Sequence, residues 1–470
     1  MNVKNLDTVW AKRLLWVGIG ITLTIFLVNF YLVGFGVYGD GIGYYTPLRS
    51  LVFDGDLKIS NEYEYLSHSA SNFGGGVRVD KEIPEYSKYT LGLGLVLSPF
   101  FAVGHFATLI LNALGVDVAV NGLSWPYELF YCLGSIGLGI TGLVICYKGA
   151  RRFFSHNACI LGVAGVWFAS PLSFYLTLET SMSHAVSQFL ISMFFYIWIA
   201  TPWLKQRRQQ VLMGLILGLA GFVRPQDILF AIVPILTVVW GLISRWVSQK
   251  SGGSVGRQEG ISKTKLIWPG LSPLMIIGLV AILMQLPQFL IYQWQFGSFF
   301  DIPYLQEGTA EGHQGSFQFS NPQILNVLFS GFHGLFSWHP LLLVSIIGLI
   351  LVSRKFPQLV GIMLTAFAMQ VYLVAAWWCW WQGSSFGGRM FANCSFIFVM
   401  GLAAFWDYFP RPSWQRFGLI STVFFMIWNG LLGLQYDSGM IPSEAPVTMG
   451  QIIQNQLFVL PYFLNHVFNR

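Results

Sequence analysis

The sequence predicts an all-α, polytopic membrane protein of about 11–13 transmembrane helices. Three observations predict it. Only 10% of the side chains are charged and 54% are hydrophobic, whereas a soluble domain carries roughly 25% charged residues. Apolar stretches of about 20 residues, the length a helix needs to cross hydrocarbon, recur along the chain. The basic residues gather in short clusters between those stretches. A mean hydropathy of +0.60 also excludes disorder. Cys132, Cys146, Cys159, Cys379 and Cys394 lie in apolar or aromatic stretches and read as small buried hydrophobes, not as a disulfide frame or a zinc site.

Candidate spans run near 14–37, 127–147, 158–178, 184–200, 211–224, 228–247, 266–296, 323–352, 358–378, 389–408 and 417–435. The stretches 91–112 and 451–468 are apolar as well. A membrane domain over 1–435 is expected, with a tail over 436–470 that is extracytoplasmic or returns to the membrane. Lys4, Lys12 and Arg13 precede the first span and put the N-terminus in the cytoplasm. Clusters at 148–152, 205–208, 245–265, 354–355 and 411–416 then fall on the same side. That side collects eighteen of the 26 basic residues and three of the 20 acidic ones, so the net +6 is an orientation signal, and no nucleic-acid partner is expected. Parity makes one demand. If 91–112 and 127–147 both crossed, Arg151 and Arg152 would land outside. Either one of the two does not cross fully, with Gly92, Gly94, Pro99, Gly104 and His105 suiting a broken or shallow element at 91–112, or 91–112 is an ordinary span followed by an atypical basic loop.

The outer face then carries one long hydrophilic loop, 38–90, with Asp40, Asp54, Asp56, Glu62, Glu64, Asp80, Glu82 and Glu85 beside Arg49, Lys58, Arg78, Lys81 and Lys88. A tether between helices needs far fewer residues, and long loops in compact proteins usually carry function. Asp40 stands at the outer end of the first span in Tyr-Gly-Asp-Gly-Ile-Gly-Tyr-Tyr. It reads either as a helix cap or as a general base at the lipid–water boundary. Glu179 and His184 flank a turn, Arg224 opens Arg-Pro-Gln-Asp, and Arg389 follows a Gly-rich stretch beneath the aromatic run 377–381. An arginine there suits an anionic phosphate, whose oxygens accept two parallel hydrogen bonds from its planar fork. Arg224 equally suits snorkelling or helix capping, His184 an ordinary interfacial role, and the tryptophans an interfacial belt.

Taken in order, these residues resemble the GT-C glycosyltransferases, polytopic enzymes that use polyprenyl-phosphate sugars. Asp40-Gly41-Ile42-Gly43-Tyr44 is similar to that family's Asp-Glu-x-x-Tyr element at the exit of the first span. Lys88-Tyr89-Thr90-Leu91-Gly92, continuing to Ser98-Pro99-Phe100-Phe101, resembles its Lys-Tyr-Pro-x-Gly…Pro-Phe-Phe stretch. Phe222-Val223-Arg224-Pro225 and Ser385-Phe386-Gly387-Gly388-Arg389 are similar to patterns of its bacterial branches, the dolichyl-phosphate-mannose mannosyltransferase-like enzymes included. Two departures stand out: Gly41 occupies the place of a second acid, and Thr90 that of a proline.

The resemblance implies transfer of a sugar from a polyprenyl-phosphate donor to a lipid, glycan or protein acceptor, on the outer side of the cytoplasmic membrane and with inversion. Asp40 would be the general base, and Lys88, Arg389 and Arg224 would hold the donor phosphate. Arg49, Tyr44, Glu62 and His184 are candidates for the sugar or the acceptor. No cofactor is required by the resemblance, but some members use a divalent cation, for which Asp54 and Asp56 could offer Mg or Mn hard oxygens. A transporter or flippase of lipid-linked saccharides, or an O-antigen-type polymerase or ligase, is the alternative. A transporter would place its ionisable groups near the midplane and often shows an internal repeat. A polymerase or ligase would carry its large outer loop later in the chain.

Overall fold

The computed structural model describes residues 3–69, 78, 83–200, 204–250, 270–313, 315–409 and 411–468. Asp80, Lys81 and Glu82 of the long loop, and 251–269 of the basic insert, lie outside them. Among the described residues the chain is helical without a β-strand, and one isolated bridge joins Phe317 to Trp377. Eight helices are long and apolar enough to cross a membrane, and three shorter apolar ones, His156–Phe168, His184–Ala200 and Pro340–Val352, accompany them. All five cysteines are free and buried.

The chain leaves α1 (Val3–Val33) for two short helices, α2 (Asp40–Phe53) and α3 (Ser60–Ser67), then runs through α4 (Gly92–Ala113) and α5 (Trp125–Ala150). The expected break in 91–112 is absent. α4 is one continuous helix, and Pro99 in its third turn strains the ladder without ending it. It nevertheless begins beside α2, and so does the segment that leads from it into α5. Gly94 lies against Leu48 and Tyr44 near its start. Beyond its far end, Tyr45 donates to the Gly122 carbonyl (2.5 Å) and Arg49 Nε to the Asn121 carbonyl (2.9 Å). α5 instead leads from this end of the bundle to Arg151, where the backbone N–H of Ser155 donates to Asp407.

The expected span 158–178 is two pieces, α6 (His156–Phe168) and α7 (Leu172–Thr177), since Pro171 disfavours helix in the residue before it. α8 (His184–Ala200) and α9 (Arg207–Val223) follow, then a 3₁₀ turn (Pro225–Ala231) and α10 (Ile232–Lys250). α11 (Ser272–Phe296) precedes the short helix α12 (Pro303–Ala310). The expected span 323–352 is three pieces, α13 (Ile324–Phe329), α14 (Leu335–Trp338) and α15 (Pro340–Val352), broken at glycines 331 and 334 and at Pro340. α16 (Pro357–Ala376), a 3₁₀ turn (Arg389–Cys394), α17 (Ser395–Tyr408) and α18 (Pro412–Asp437) complete the bundle. The tail returns as α19 (Met449–Phe468), whose Ile452 carbonyl accepts from Gln435 on α18 (3.3 Å).

The exit of α1 is held by a buried clip. Glu128 on α5 accepts hydrogen bonds from the N–H groups of Gly36 (2.9 Å) and Val37 (3.1 Å), and Arg78 pairs with its other oxygen at 2.7 Å. Arg78 Nε also donates to the Val37 carbonyl at 2.7 Å. Removing one member of a buried pair strands the other. Glu128→Ala is expected to cost about 3–5 kcal/mol, seen as a lower thermal unfolding midpoint of the detergent-solubilised protein. An unchanged midpoint would show that the clip does not hold the α1 exit.

Candidate active site

That clip delivers Asp40 as the first residue of α2, with its side chain 37% exposed. The glycines of the first turn have a steric purpose. A Cβ on Gly41 would meet Ser181 Oγ at 2.1 Å, and one on Gly43 would meet the Tyr89 ring at 2.4 Å. The 179–183 turn and the Lys88-Tyr89 segment can therefore close directly onto α2. No side chain fits at 41, so a second acid at this site has to come from elsewhere.

Arg389 heads its 3₁₀ turn from beneath, 9% exposed, with Nη1 3.1 Å from Asp40 Oδ2. Burial pushes the Asp40 carboxyl up, but the Arg389 guanidinium, a hydrogen bond from Tyr89 and the charge of Lys88 outweigh it and hold Asp40 below its ordinary value. Asp40 is thus a carboxylate at neutral pH. Lys88 pairs with Glu307 of α12 at 2.8 Å. Burial lowers its pKa, and Glu307 more than compensates, so the ammonium is favoured. Tyr44 lies under Tyr89, ring centroids 4.3 Å apart, and accepts a hydrogen bond from Ser183 at 3.1 Å. Tyr304 of α12 closes the far side of Tyr89, 6.0 Å between centroids.

Arg224 is held one step behind. As the residue before Pro225 it is forced out of helix into extended backbone (φ −144°, ψ 111°), which turns its side chain inward. Nη1 lies 3.0 Å from His184 Nδ1, and Nη2 touches the Met390 sulfur. An arginine can only donate, so His184 Nδ1 accepts there. His184 therefore orients Arg224.

Glu179, in the turn before His184, is a second carboxyl within the electrostatic reach of Asp40 and Arg389. Burial raises its carboxyl to about 8, with Arg389 opposing the shift and Asp40 reinforcing it. A carboxyl whose folded value lies above its ordinary 4.5 binds more protons folded than unfolded, so stability falls as pH rises between about 4.5 and 8. Glu179→Gln is expected to flatten that fall, measured as the difference between thermal midpoints at pH 5 and pH 9. An equal fall in both proteins would remove Glu179 as its source.

The other candidates lie elsewhere. Nine residues at about 1.5 Å each put Arg49 roughly 13 Å along α2 from Asp40. There Arg49 pairs with Asp54 and with Glu62 (3.0 Å), tying α2 to α3. Arg49 and Glu62 are thus outside the Asp40 cluster. Asp54 also accepts from Asn61 (2.8 Å), while Asp56 accepts from Ser50 (2.7 Å) and the Lys58 N–H (3.0 Å). One oxygen of each carboxylate is thus engaged, Oδ2 of Asp54 and Oδ1 of Asp56. Among the described residues no three His, Cys, Asp or Glu side chains converge. Tyr304 and Glu307 carry no local sequence signal and reach the site on α12, against Tyr89 and Lys88.

Two cavities flank the cluster. One, about 160 Å³, is lined by Tyr86, Lys88, Phe296, Asp301, Pro303 and Gln306. It opens beside Trp294 and Phe300, 55% and 76% exposed. The other, about 430 Å³, is formed by the 436–445 stretch, Asp437 and Glu444 included. Glu444 there accepts from Ser384 (2.7 Å), just before Arg389.

By sequence the chain matches no protein-family model and none of the curated proteins. Its fold is similar to that of ArnT from Cupriavidus metallidurans bound to undecaprenyl phosphate, with a TM-score of 0.53 and 11% identity over 96% of this chain and 75% of that one. The apo state of ArnT from the same organism aligns at 0.50, with 12% identity over 97% of this chain and 76% of that one. The chain has the GT-C fold. An archaeal oligosaccharyltransferase, AglB from Archaeoglobus fulgidus, aligns at 0.45 and 10% identity over 98% of this chain and 55% of its own. Within the GT-C fold the Asp40–Arg389 pair sits at the end of the bundle where α2, α3 and α12 collect.

Proposed function

We propose that the protein transfers a sugar from a polyprenyl-phosphate donor to an acceptor on the extracytoplasmic face of the cytoplasmic membrane, with inversion. The observation that carries this reading is the Asp40–Arg389 pair, a carboxylate and a guanidinium 3.1 Å apart with Lys88 and Glu179 beside them. The undecaprenyl phosphate bound to ArnT, which shares the fold, supports a polyprenyl-phosphate carrier. The sorted basic loops support a cytoplasmic N-terminus and an outward-facing site.

In this reaction the acceptor oxygen attacks the anomeric carbon as the bond from that carbon to the phosphate oxygen breaks. The hydroxyl proton passes to Asp40, and the bonding pair leaves with the lipid phosphate. Charge therefore grows on the phosphate in the transition state, where fixed cations stabilise it more than in the ground state. Arg389 and Lys88 are each engaged by a carboxylate, Asp40 and Glu307. A phosphate taking Arg389 would leave the Asp40 carboxylate free to accept a proton, so the base is released only when the donor is in place. The lipid tail suits the cavity beside Trp294 and Phe300, and the acceptor suits the 436–445 side. Flipping of a lipid-linked sugar would need no base next to the anion.

Mass spectrometry of lipids and glycans from cells with and without the protein is the direct test. A glycan or lipid lacking one sugar in the deletion, with its lipid-linked donor accumulating, is the expected result. Identical profiles, or a donor that merely fails to change sides, would overturn the reading.

A further inference from the structure

Beneath the site, three elements meet in two tiers with a common spacing. Arg224 caps the 3₁₀ turn that follows α9, and the Asp227 N–H within that turn donates to the Arg224 carbonyl at 2.9 Å. On the turn opened by Arg389, Met390 and Asn393 stand three residues apart, and residues i and i+3 eclipse in a 3₁₀ helix. On α8, His184 and Ser187 share one face at the i, i+3 spacing. The upper tier joins Arg224 to His184 and Met390. The lower tier joins Asp227 to Ser187 (2.5 Å) and Asn393 (2.8 Å).

Asp227, Ser187 and Asn393 are each completely buried. Both carboxyl oxygens of Asp227 accept a hydrogen bond, Oδ2 from Ser187 and Oδ1 from Asn393. An ionisable side chain sealed within the helices is costly and has a partner to match it. Here its partners are the two other elements that carry the site. Gln226, beside it, reaches the Met390 carbonyl at 3.4 Å, which Gln370 also holds at 2.9 Å.

We propose that Asp227 is a positioning residue: the lower tier fixes the register of the two 3₁₀ turns, and so the separation at which Arg224 and Arg389 face one phosphate. The inference rests on the reading that these arginines hold the donor phosphate. Asp227 itself touches no substrate. Groups that orient the residues contacting a ligand commonly change its affinity by about 10–100-fold when removed.

The test uses the full chain in lipid nanodiscs, with undecaprenyl phosphate as probe. Asp227→Asn, which keeps one acceptor oxygen and sets an amide donor against the remaining donor, is expected to weaken binding about tenfold. Ser187→Ala, which removes one arm and leaves the carboxyl, is expected to weaken it about threefold and covers the case in which Asp227→Asn does not fold. The deciding readout is coupling. In an Arg224→Ala background Asp227→Asn should change affinity little, because there is no second arginine left to place. A full loss retained in that background, or binding unchanged while the thermal midpoint falls, would make Asp227 structural only and overturn the proposal. Failure of the unaltered chain to bind the probe, or binding indifferent to Arg389→Ala, would overturn the reading of the site and this inference with it.

Discussion

Asp40→Asn should reduce sugar transfer by about a thousandfold or more while leaving the amount of folded protein unchanged. The substitution keeps the size of the side chain and removes its ability to take a proton, the kind of step that contributes about 10²–10⁴-fold when a base is well placed. Asp40 is part-exposed at the head of α2, and its one ion pair is with Arg389. The fold does not depend on it as it does on the buried Glu128 clip. Binding of undecaprenyl phosphate should survive, or strengthen, because Arg389 loses its internal competitor. Transfer at the parental rate by a monodisperse Asp40→Asn protein would remove Asp40 from the mechanism.

The second large effect is expected at Arg389. Arg389→Lys should lower the turnover number by about 10²–10³-fold, the loss typical of a donor aimed at developing charge. A lysine retains the charge but not the planar fork, and its ammonium cannot serve Asp40 and a phosphate at once with fixed geometry. The effect should exceed that of Arg224→Lys, because Arg224 already spends one arm on His184 and the other on Met390. Single-turnover kinetics with a preloaded donor would separate this loss from weaker binding. Equal losses at the two arginines would mean that they act as a single charged patch, with no division between them.

Much of this architecture is legible in the amino-acid order, for identifiable reasons. Helices announce themselves through apolar length, and proline and glycine mark most of the breaks that were not foreseen, at Pro171, at Pro340 and at 331–334. Asp40, Lys88 and Arg389 stand out because charge at an apolar boundary is rare in such a chain. Arg49 lies about 13 Å along α2 from Asp40, so their closeness in number does not become contact once α2 is a helix. What could not be read are pairings across the bundle: Lys88 with Glu307 is 219 residues apart, and Asp227 with Asn393 is 166. No local pattern specifies such partners. Glu179 illustrates the intermediate case, a conspicuous acid whose neighbours became visible only once Gly41 allowed its turn to close on α2.

α4 has a practical consequence for anyone mapping this protein with reporters. Its 22 apolar residues would be counted as a crossing by hydropathy alone. Yet the loop behind it is fastened to α2 through Arg49 and Tyr45. A cysteine or epitope inserted near Asp117 should therefore be labelled from the same side as one placed near Glu64. Labelling from that one side would put every loop from Arg151 onward opposite to where counting α4 as a crossing puts it.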